Sequence, residues 1–167
     1  SSIFGKICNM LPYTSCEKTV SSMLYNTRQI NTPAIMRGKD YETDAITALE
    51  EQLGIKVSRC GLFVDLENPF LCTTPDGLID NNGIVEAKCP YFTRDMTPDE
   101  AIFEKLLIYT LDKKGKTILN KKHNYYFQIQ GQLHIIKREY CIFGMWTTKA
   151  IKIDKIYYKV FCMNVID

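Results

Sequence analysis

No run of 18 apolar residues occurs in these 167 residues, so no hydrophobic helix long enough to span a bilayer is expected. The opening residues lack the pattern of a secretory signal. Only two histidines occur, His123 and His134, and no C-x-x-C pair is present, so a structural zinc site lacks a ligand set. The seven cysteines, Cys8, Cys16, Cys60, Cys72, Cys89, Cys141 and Cys162, are odd in number and unevenly spaced. They fit reduced thiols in an intracellular protein, in the nucleus or cytoplasm of a host or infected cell, better than a disulfide framework. Excess charge of one sign is also missing. The 21 Lys and Arg against 19 Asp and Glu leave +2, so charge alone does not advertise a polyanionic partner or a membrane, and any phosphate-binding site must be local. There is no internal repeat and no low-complexity stretch. The chain begins Ser1-Ser2 without Met, as expected of a piece of something longer.

With 46% hydrophobic and 24% charged residues, the composition is that of a globular chain. The length suits one domain over residues 1–167. A helix is predicted from Ser2, and a second after the capping box Thr14-x-x-Glu17, running to about Asn26. A third starts at Thr32, with Pro33 at the first helical position, and ends before Gly54. Short β-rich runs follow at Ile55–Arg59, Gly61–Leu66 and Phe70–Thr73, then Gly77–Asp80 and Ile84–Cys89 around the hairpin signal Asn81-Asn82-Gly83. A capping box at Thr97 and Glu100 opens a helix to about Tyr109. Asp112–Lys122 reads as a lysine-rich loop, Asn124–Arg138 as a helix, and Tyr140–Thr147 and Lys155–Met163 as closing strands. The expected fold class is α/β, a mixed β-sheet flanked by helices.

The chemistry concentrates in Thr74-Pro75-Asp76-Gly77-Leu78 and Ile84-Val85-Glu86-Ala87-Lys88-Cys89-Pro90. If a three-residue turn pairs Asp80 with Ile84, Asp76 lies opposite Lys88. Strand alternation then puts Asp76, Glu86 and Lys88 on one face, with Val85, Ala87 and Cys89 on the other. Two carboxylates beside an amine are costly in a core and suited to Mg²⁺, which takes hard oxygen ligands and keeps several waters. The Ala87 carbonyl is a candidate third ligand. Lys88 would orient a water or offset charge on a phosphorane-like transition state. The same spacing also suits a surface ion pair on a hairpin.

Glu42 heads the apolar row Glu42, Ile46, Leu49, Leu53, which places an acid either at the rim of the core or in a site. In the helix after the lysine-rich stretch, Tyr126, Ile129, Leu133 and Ile136 form a core stripe. Gln128 and Gln132 share a row beside it. Neutral amides can orient water near acids without adding charge.

Four blocks together resemble the YqaJ-type viral recombinase domain, the phage lambda exonuclease branch of the PD-(D/E)XK nucleases. They are Ser2–Cys8, Gly38-Lys39-Asp40-Tyr41-Glu42, Pro75-Asp76-Gly77 with Glu86–Pro90, and Tyr125–Gln132, and their order covers nearly the whole chain. The closing segment, with Tyr140–Phe143 and Trp146-Thr147, is also similar to the family's. The resemblance implies a restriction-endonuclease-like core. It implies Asp76, Glu86 and the Ala87 carbonyl as metal ligands, Lys88 as catalytic lysine, Glu42 as helix glutamate at the metal, and Gln128 as organiser of the attacking water. Ser2 and Thr74 fall where hydroxyls hold a terminal 5′-phosphate, with Thr74 replacing the more usual serine, and Arg94 matches a basic loop position near substrate. The family's phosphate-gripping arginine, a few residues before the Ser2 block, would precede the first residue.

The residues and the resemblance together lead to the expectation of a Mg²⁺-dependent deoxyribonuclease, with Mn²⁺ able to substitute, acting on ends of linear duplex DNA. A 5′-to-3′ exonuclease leaving 5′-phosphates is the first reading. A DNA-end-binding module with little hydrolysis and an endonuclease of the same fold are the alternatives. No membrane partner is expected, and a homo-oligomer is compatible, since relatives can form ring-shaped trimers. Gly115-Lys116-Thr117 is no P-loop, because Thr110 stands where the first glycine is needed. Lys113, Lys114, Lys116, Lys121 and Lys122 fit a solvated segment better than a nucleic-acid track. His123 and His134 fit structural or surface roles.

Overall fold

The computed structural model describes residues 3–25, 32–104 and 108–160. In chain order the elements are α1 (Phe4–Cys8), α2 (Glu17–Tyr25), α3 (Pro33–Leu53), β1 (Phe63–Val64), β2 (Cys72–Thr73), β3 (Gly77–Ile79) and β4 (Gly83–Lys88). A single 3₁₀ turn at Tyr91–Thr93 leads to α4 (Pro98–Phe103), β5 (Tyr109–Leu111), β6 (Thr117–Leu119), α5 (Asn124–Ile136), β7 (Tyr140–Trp146) and β8 (Ile151–Tyr157). The main sheet has the order β3-β4-β7-β8. Strands β4 and β7 run parallel, and the two outer pairs are antiparallel. A parallel pair needs a long crossover, and α4, the β5–β6 hairpin and α5 supply it. The sheet is therefore mixed and carries helices on both faces.

Helix α3 follows its sequence signals. The Thr32 hydroxyl accepts from the Ile35 amide, Pro33 opens the first turn, and Gly54 closes the helix at φ +65°. Gly38 does not interrupt it. Arg37, Ala45 and Leu49 are buried with Tyr41 packed beside them, and of the row headed by Glu42 only Leu49, shared by both rows, is buried, because the helix turns its 37–41–45–49 ridge to the sheet. Leu53 is 41% exposed.

The core has two sides. Ile84, Phe143 and Met145 pack under Ile129 and Leu133 of α5. Val85, Ile79 and Ile142 pack under Leu49 of α3, and Ala87 and Cys89 pack beside Ala45, Tyr41 and Trp146. Helix α5 is buried nearly all round, from Tyr126 through Leu133 and at Ile135, because α1 and the β1–β2 pair cover its outer side. The close approach of α1 requires Gly131, where a Cβ would lie 2.8 Å from the Phe4 ring.

Four expectations are corrected. Within 112–122 only Thr117–Leu119 departs from the expected loop, forming strand β6 against β5, with 112–116 as the turn of that hairpin. Gly115 turns it at φ +77°, and the Asp112 carboxylate accepts from the Lys114 and Lys116 amides at 2.8 Å each. Lys113, Lys114 and Lys116 sit around its tip, where charge masks the strand pattern, and Lys121 and Lys122 follow β6 at its base. Helix α4 keeps its capping box at Thr97 and Glu100 but stops at Phe103, and Tyr109 instead pairs with Leu119 in the hairpin. Ile55–Arg59 forms no strand, only the bridge of Ser58 with Leu78. Strand β8 begins at Ile151 rather than Lys155, since it pairs with the full length of β7. Among the described residues no helix is long and apolar enough to cross a membrane.

Candidate active site

The site is built on the β3–β4 hairpin and covered by α5. The hairpin register differs by two residues from the sequence expectation. Ile79 pairs with Gly83 and Gly77 with Val85, so the turn is Asp80-Asn81-Asn82. Asp80 adopts φ +45°, and its Oδ1 accepts from the Asn82 and Gly83 amides. Arg138 Nη1 donates to the carbonyls of Ile79, Asp80 and Gly83, and Tyr140 donates to Asp80 Oδ2. The paired ladder ends at Gly77 with Val85, and Asp76, one residue before it, donates to the Val85 carbonyl and reaches the Ala87 amide with its carboxylate, so it lies beside Glu86 rather than opposite Lys88. A shift of two keeps the face, so the three side chains still share it.

Asp76 and Glu86 are held differently. The Asp76 amide donates to the Val85 carbonyl at 3.0 Å, and Asp76 Oδ2 accepts from the Ala87 amide at 2.7 Å. Glu86 is 1% exposed in the central strand. Its Oε1 accepts from Lys88 Nζ and from Gln128 Nε2, the latter at 2.6 Å, and its Oε2 accepts from Gln132 Nε2 at 2.7 Å. Three donors converge on one buried carboxylate, a dense charge-assisted set. Burial first, and then the Glu86 charge, push the Asp76 carboxyl up to about 7, against the pull of Lys88 and the Ala87 amide. Burial alone would lower the Lys88 ammonium, but Glu86 and Asp76 outweigh it and hold it above its usual range. Lys88 Nζ also lies 5.4 Å from the centre of the Tyr125 ring.

The donor chemistry fits a hard cation. Two carboxylates, when both are ionised, and one ammonium sum to −1, and burial together with the Glu86 charge is what raises the Asp76 carboxyl. A carboxylate offers about four lone-pair sites, and Glu86 uses three of them on its present donors. In a strand the amide and carbonyl of one residue leave on the same side, so the Ala87 carbonyl emerges toward Asp76. Among the described residues no three His, Cys, Asp or Glu side chains gather as a metal cluster.

The other predicted residues fall around this centre. Glu42 is exposed on α3, and its charge reaches Asp76. Thr74 is exposed just after β2. Arg94 stacks over Tyr91 at 4.8 Å and pairs with Asp95 at 3.0 Å. Ser2 lies outside the described residues. A cleft of about 550 Å³ opens at Lys88, lined among others by Ala34, Gly38, Cys89, Tyr91 and Tyr125. Burial pushes the Cys89 thiol up to about 11, which favours its protonated form. His123 also lines the cleft while its Nδ1 accepts from the Tyr125 amide as the cap of α5.

Sequence reasoning put Gln132 on the right row without assigning it to Glu86. It missed Tyr125 as the ring beside Lys88. The i, i+4 spacing of Gln128 and Gln132 was the available signal, since it places both amides above one strand position.

The family model described as the YqaJ-like viral recombinase domain matches residues 1–149. The crystal structure of an alkaline exonuclease (LHK-Exo) from Laribacter hongkongensis is similar at a TM-score of 0.69 and 24% identity, over 95% of this chain and 76% of that one. LHK-Exo in complex with dAMP gives 0.67 and 20%, over 97% and 78%. A phage related exonuclease from Haemophilus somnus 129PT gives 0.66 and 13%, over 99% and 86%. At these identities the likeness is one of fold, a restriction-endonuclease-like PD-(D/E)XK architecture. No curated protein matches the chain.

Proposed function

We propose, from the premise that the chain belongs to the YqaJ-like viral recombinase domain family, that it is a Mg²⁺-dependent deoxyribonuclease working from the ends of linear duplex DNA. Family membership and the fold shared with solved exonucleases support a nuclease. The observation that supports the finer reading is the carboxylate pair, half-buried Asp76 beside buried Glu86, with one ammonium, Lys88, against them.

Asp76, Glu86 and the Ala87 carbonyl would hold the cation, with Glu42 adding negative charge at the rim. When bound, the metal supplies positive charge at the scissile phosphate and acidity for the attacking water. Gln128 and Gln132 fix the Glu86 carboxylate, so its free lone pair keeps one direction. Lys88, held protonated by the two acids, offsets charge as phosphorus becomes five-coordinate and orients the water. Water adds to phosphorus, the P–O3′ bond breaks, and the product keeps a 5′-phosphate. Thr74, Arg94 and Ser2 would contact the phosphates of the strand end, giving 5′-to-3′ polarity. Mn²⁺ would substitute for Mg²⁺, because the donors are all oxygen.

End-labelled linear duplex and closed circular duplex, incubated with Mg²⁺ or EDTA, test this directly. The expected result is mononucleotide release from the linear form alone, lost with EDTA and in Lys88→Ala. Nicking of the circle would replace the end-dependent reading with an endonuclease. Binding without cleavage of either substrate would replace it with an end-binding module.

A further inference from the structure

The five lysines that the sequence alone assigns to a solvated segment stand on one rooted element. Residues 108–123 hold Lys113, Lys114, Lys116, Lys121 and Lys122 against the single acid Asp112, a net +4 on a chain of +2. The rest of the chain is therefore at −2, and the excess positive charge of the molecule is gathered here. All five lysines are exposed, and none has an ion-pair partner among the described residues. The Asp112 carboxylate is engaged by the Lys114 and Lys116 amides, where it shapes the turn. Like charges held this close repel one another, a cost that a polyanion removes.

The fold places this charge beside the site. Ile108, Tyr109 and Leu119, at the root of the β5–β6 hairpin, are buried in the same core cluster as Ile129 and Leu133 of α5. The Ile108 carbonyl accepts from the Asn120 amide at 2.8 Å. Asn120 in turn accepts from the Lys122 amide at 3.0 Å and the His123 amide at 2.9 Å. Ile108 and His123 both line the cleft that opens at Lys88. Lys121 and Lys122 immediately precede His123, so they stand at the rim of that cleft. Three residue pairs separate the root of the hairpin from its tip, about 10 Å at the rise of a strand. That length matches about three base-pair steps of a duplex. The tip residues Lys113, Lys114, Gly115 and Lys116 include no aromatic ring to stack on a base and no amide to read one. Such a tip suits phosphates and is blind to sequence.

We propose that the β5–β6 hairpin is a phosphate clamp, its lysines gripping the backbone of duplex DNA next to the strand end held at Lys88. This rests on the nuclease reading above. It adds a sequence-independent contact away from the reacting phosphate. An acidic protein surface would match the charge equally well, but not its position at the rim of the cleft.

Duplex binding is measured in EDTA as a function of salt, on two duplexes of unrelated sequence. The variants are the tip triple Lys113→Gln, Lys114→Gln, Lys116→Gln and a charge-matched control, Lys18→Gln, Lys56→Gln, Lys159→Gln, at exposed positions elsewhere. The tip triple is expected to bind roughly tenfold or more weaker at low salt, with a salt slope smaller by about 2 to 3. The loss should be equal on both duplexes, and the control should keep the wild-type slope. In the unmodified protein, bound duplex should protect the tip lysines from chemical acetylation, read by mass spectrometry. An unchanged slope in the tip triple, an equal fall in the control, or tip lysines labelled equally with and without duplex overturns the proposal. The labelling result stands even if the variants fail to fold. A wild type that binds and cleaves alongside any of those results refutes the clamp and leaves the nuclease reading intact. Hairpin-dependent binding without cleavage in Mg²⁺ upholds the clamp and refutes the nuclease reading. A wild type that neither binds nor cleaves refutes both.

Discussion

Among the described residues two acids are 1% exposed, Glu86 and Asp65, and they are held in opposite ways. Asp65 turns back on its own chain. Its Oδ1 accepts from the Glu67 and Asn68 amides at 2.9 and 3.0 Å, while Lys137 and His134 stand 3.7 and 3.8 Å from Oδ2. Those two amides, with help from the nearby cations, hold its carboxyl below the usual range despite burial. Glu86 draws its donors from side chains, two of them 42 and 46 residues away on α5. Its neighbour Asp76 carries the cost, with a carboxyl pushed up to about 7. A loop acid bonded to its own backbone serves the fold. On the proposed function, an acid held by imported amides next to a second, half-buried acid would serve a ligand from outside the chain.

The largest expected effect lies at Glu86. Glu86→Ala should lower cleavage by roughly a thousandfold or more, in line with the several kcal/mol a bound metal contributes. Circular dichroism should show the fold retained. The contrast weakens if cleavage survives.

Asp76 gives the next effect, with a sign opposite to that of Asp65. Because its carboxyl titrates high, folded protein holds a proton that the unfolded chain has already released between about pH 4 and 7. Metal-free stability should therefore fall as pH rises through that window. Asp76→Asn should remove the fall and stabilise metal-free protein at pH 8 by on the order of 2–4 kcal/mol. Mg²⁺ should restore wild-type stability there by mass action. Urea titrations at pH 5 and pH 8, with and without Mg²⁺, read all three. The Asp65 contribution, from a lowered carboxyl, is complete above about pH 4 and lost as pH falls through the folded value.

Asp65→Ala should cost about 2–3 kcal/mol of stability, because it strands buried amides. Cleavage per folded molecule should stay within a few-fold of wild type. The smallest effect is expected from Gln132→Leu, about 1–2 kcal/mol, since Glu86 keeps Lys88 and Gln128. A Gln132→Leu protein as stable as wild type would show that the second amide is dispensable to the buried carboxylate.

Much of the fold and site is legible in the sequence. The bounds of α3 lie in Thr32, Pro33 and Gly54, because caps are local chemistry. Asp76, Glu86 and Lys88 share a face because alternation survives a two-residue slip. The register itself is not legible. It depends on Arg138 and Tyr140 gripping the turn, and neither is near it in sequence. The β5–β6 hairpin is hidden because lysines at its tip look like solvent-facing loop. Glu42 misleads the choice of the α3 row, since Ala45 and Tyr41 carry a weaker apolar signal than Ile46 and Leu53.

The central claim is that the buried acid held by α5 belongs to the chemistry and the buried acid held by its own loop does not. Cleavage of end-labelled linear duplex in Mg²⁺ by Glu86→Gln, beside Asp65→Asn and normalised to folded protein, tests it most directly. The predicted result is loss of cleavage in the first and near wild-type cleavage in the second. Cleavage retained in Glu86→Gln, or lost equally in both, would contradict it.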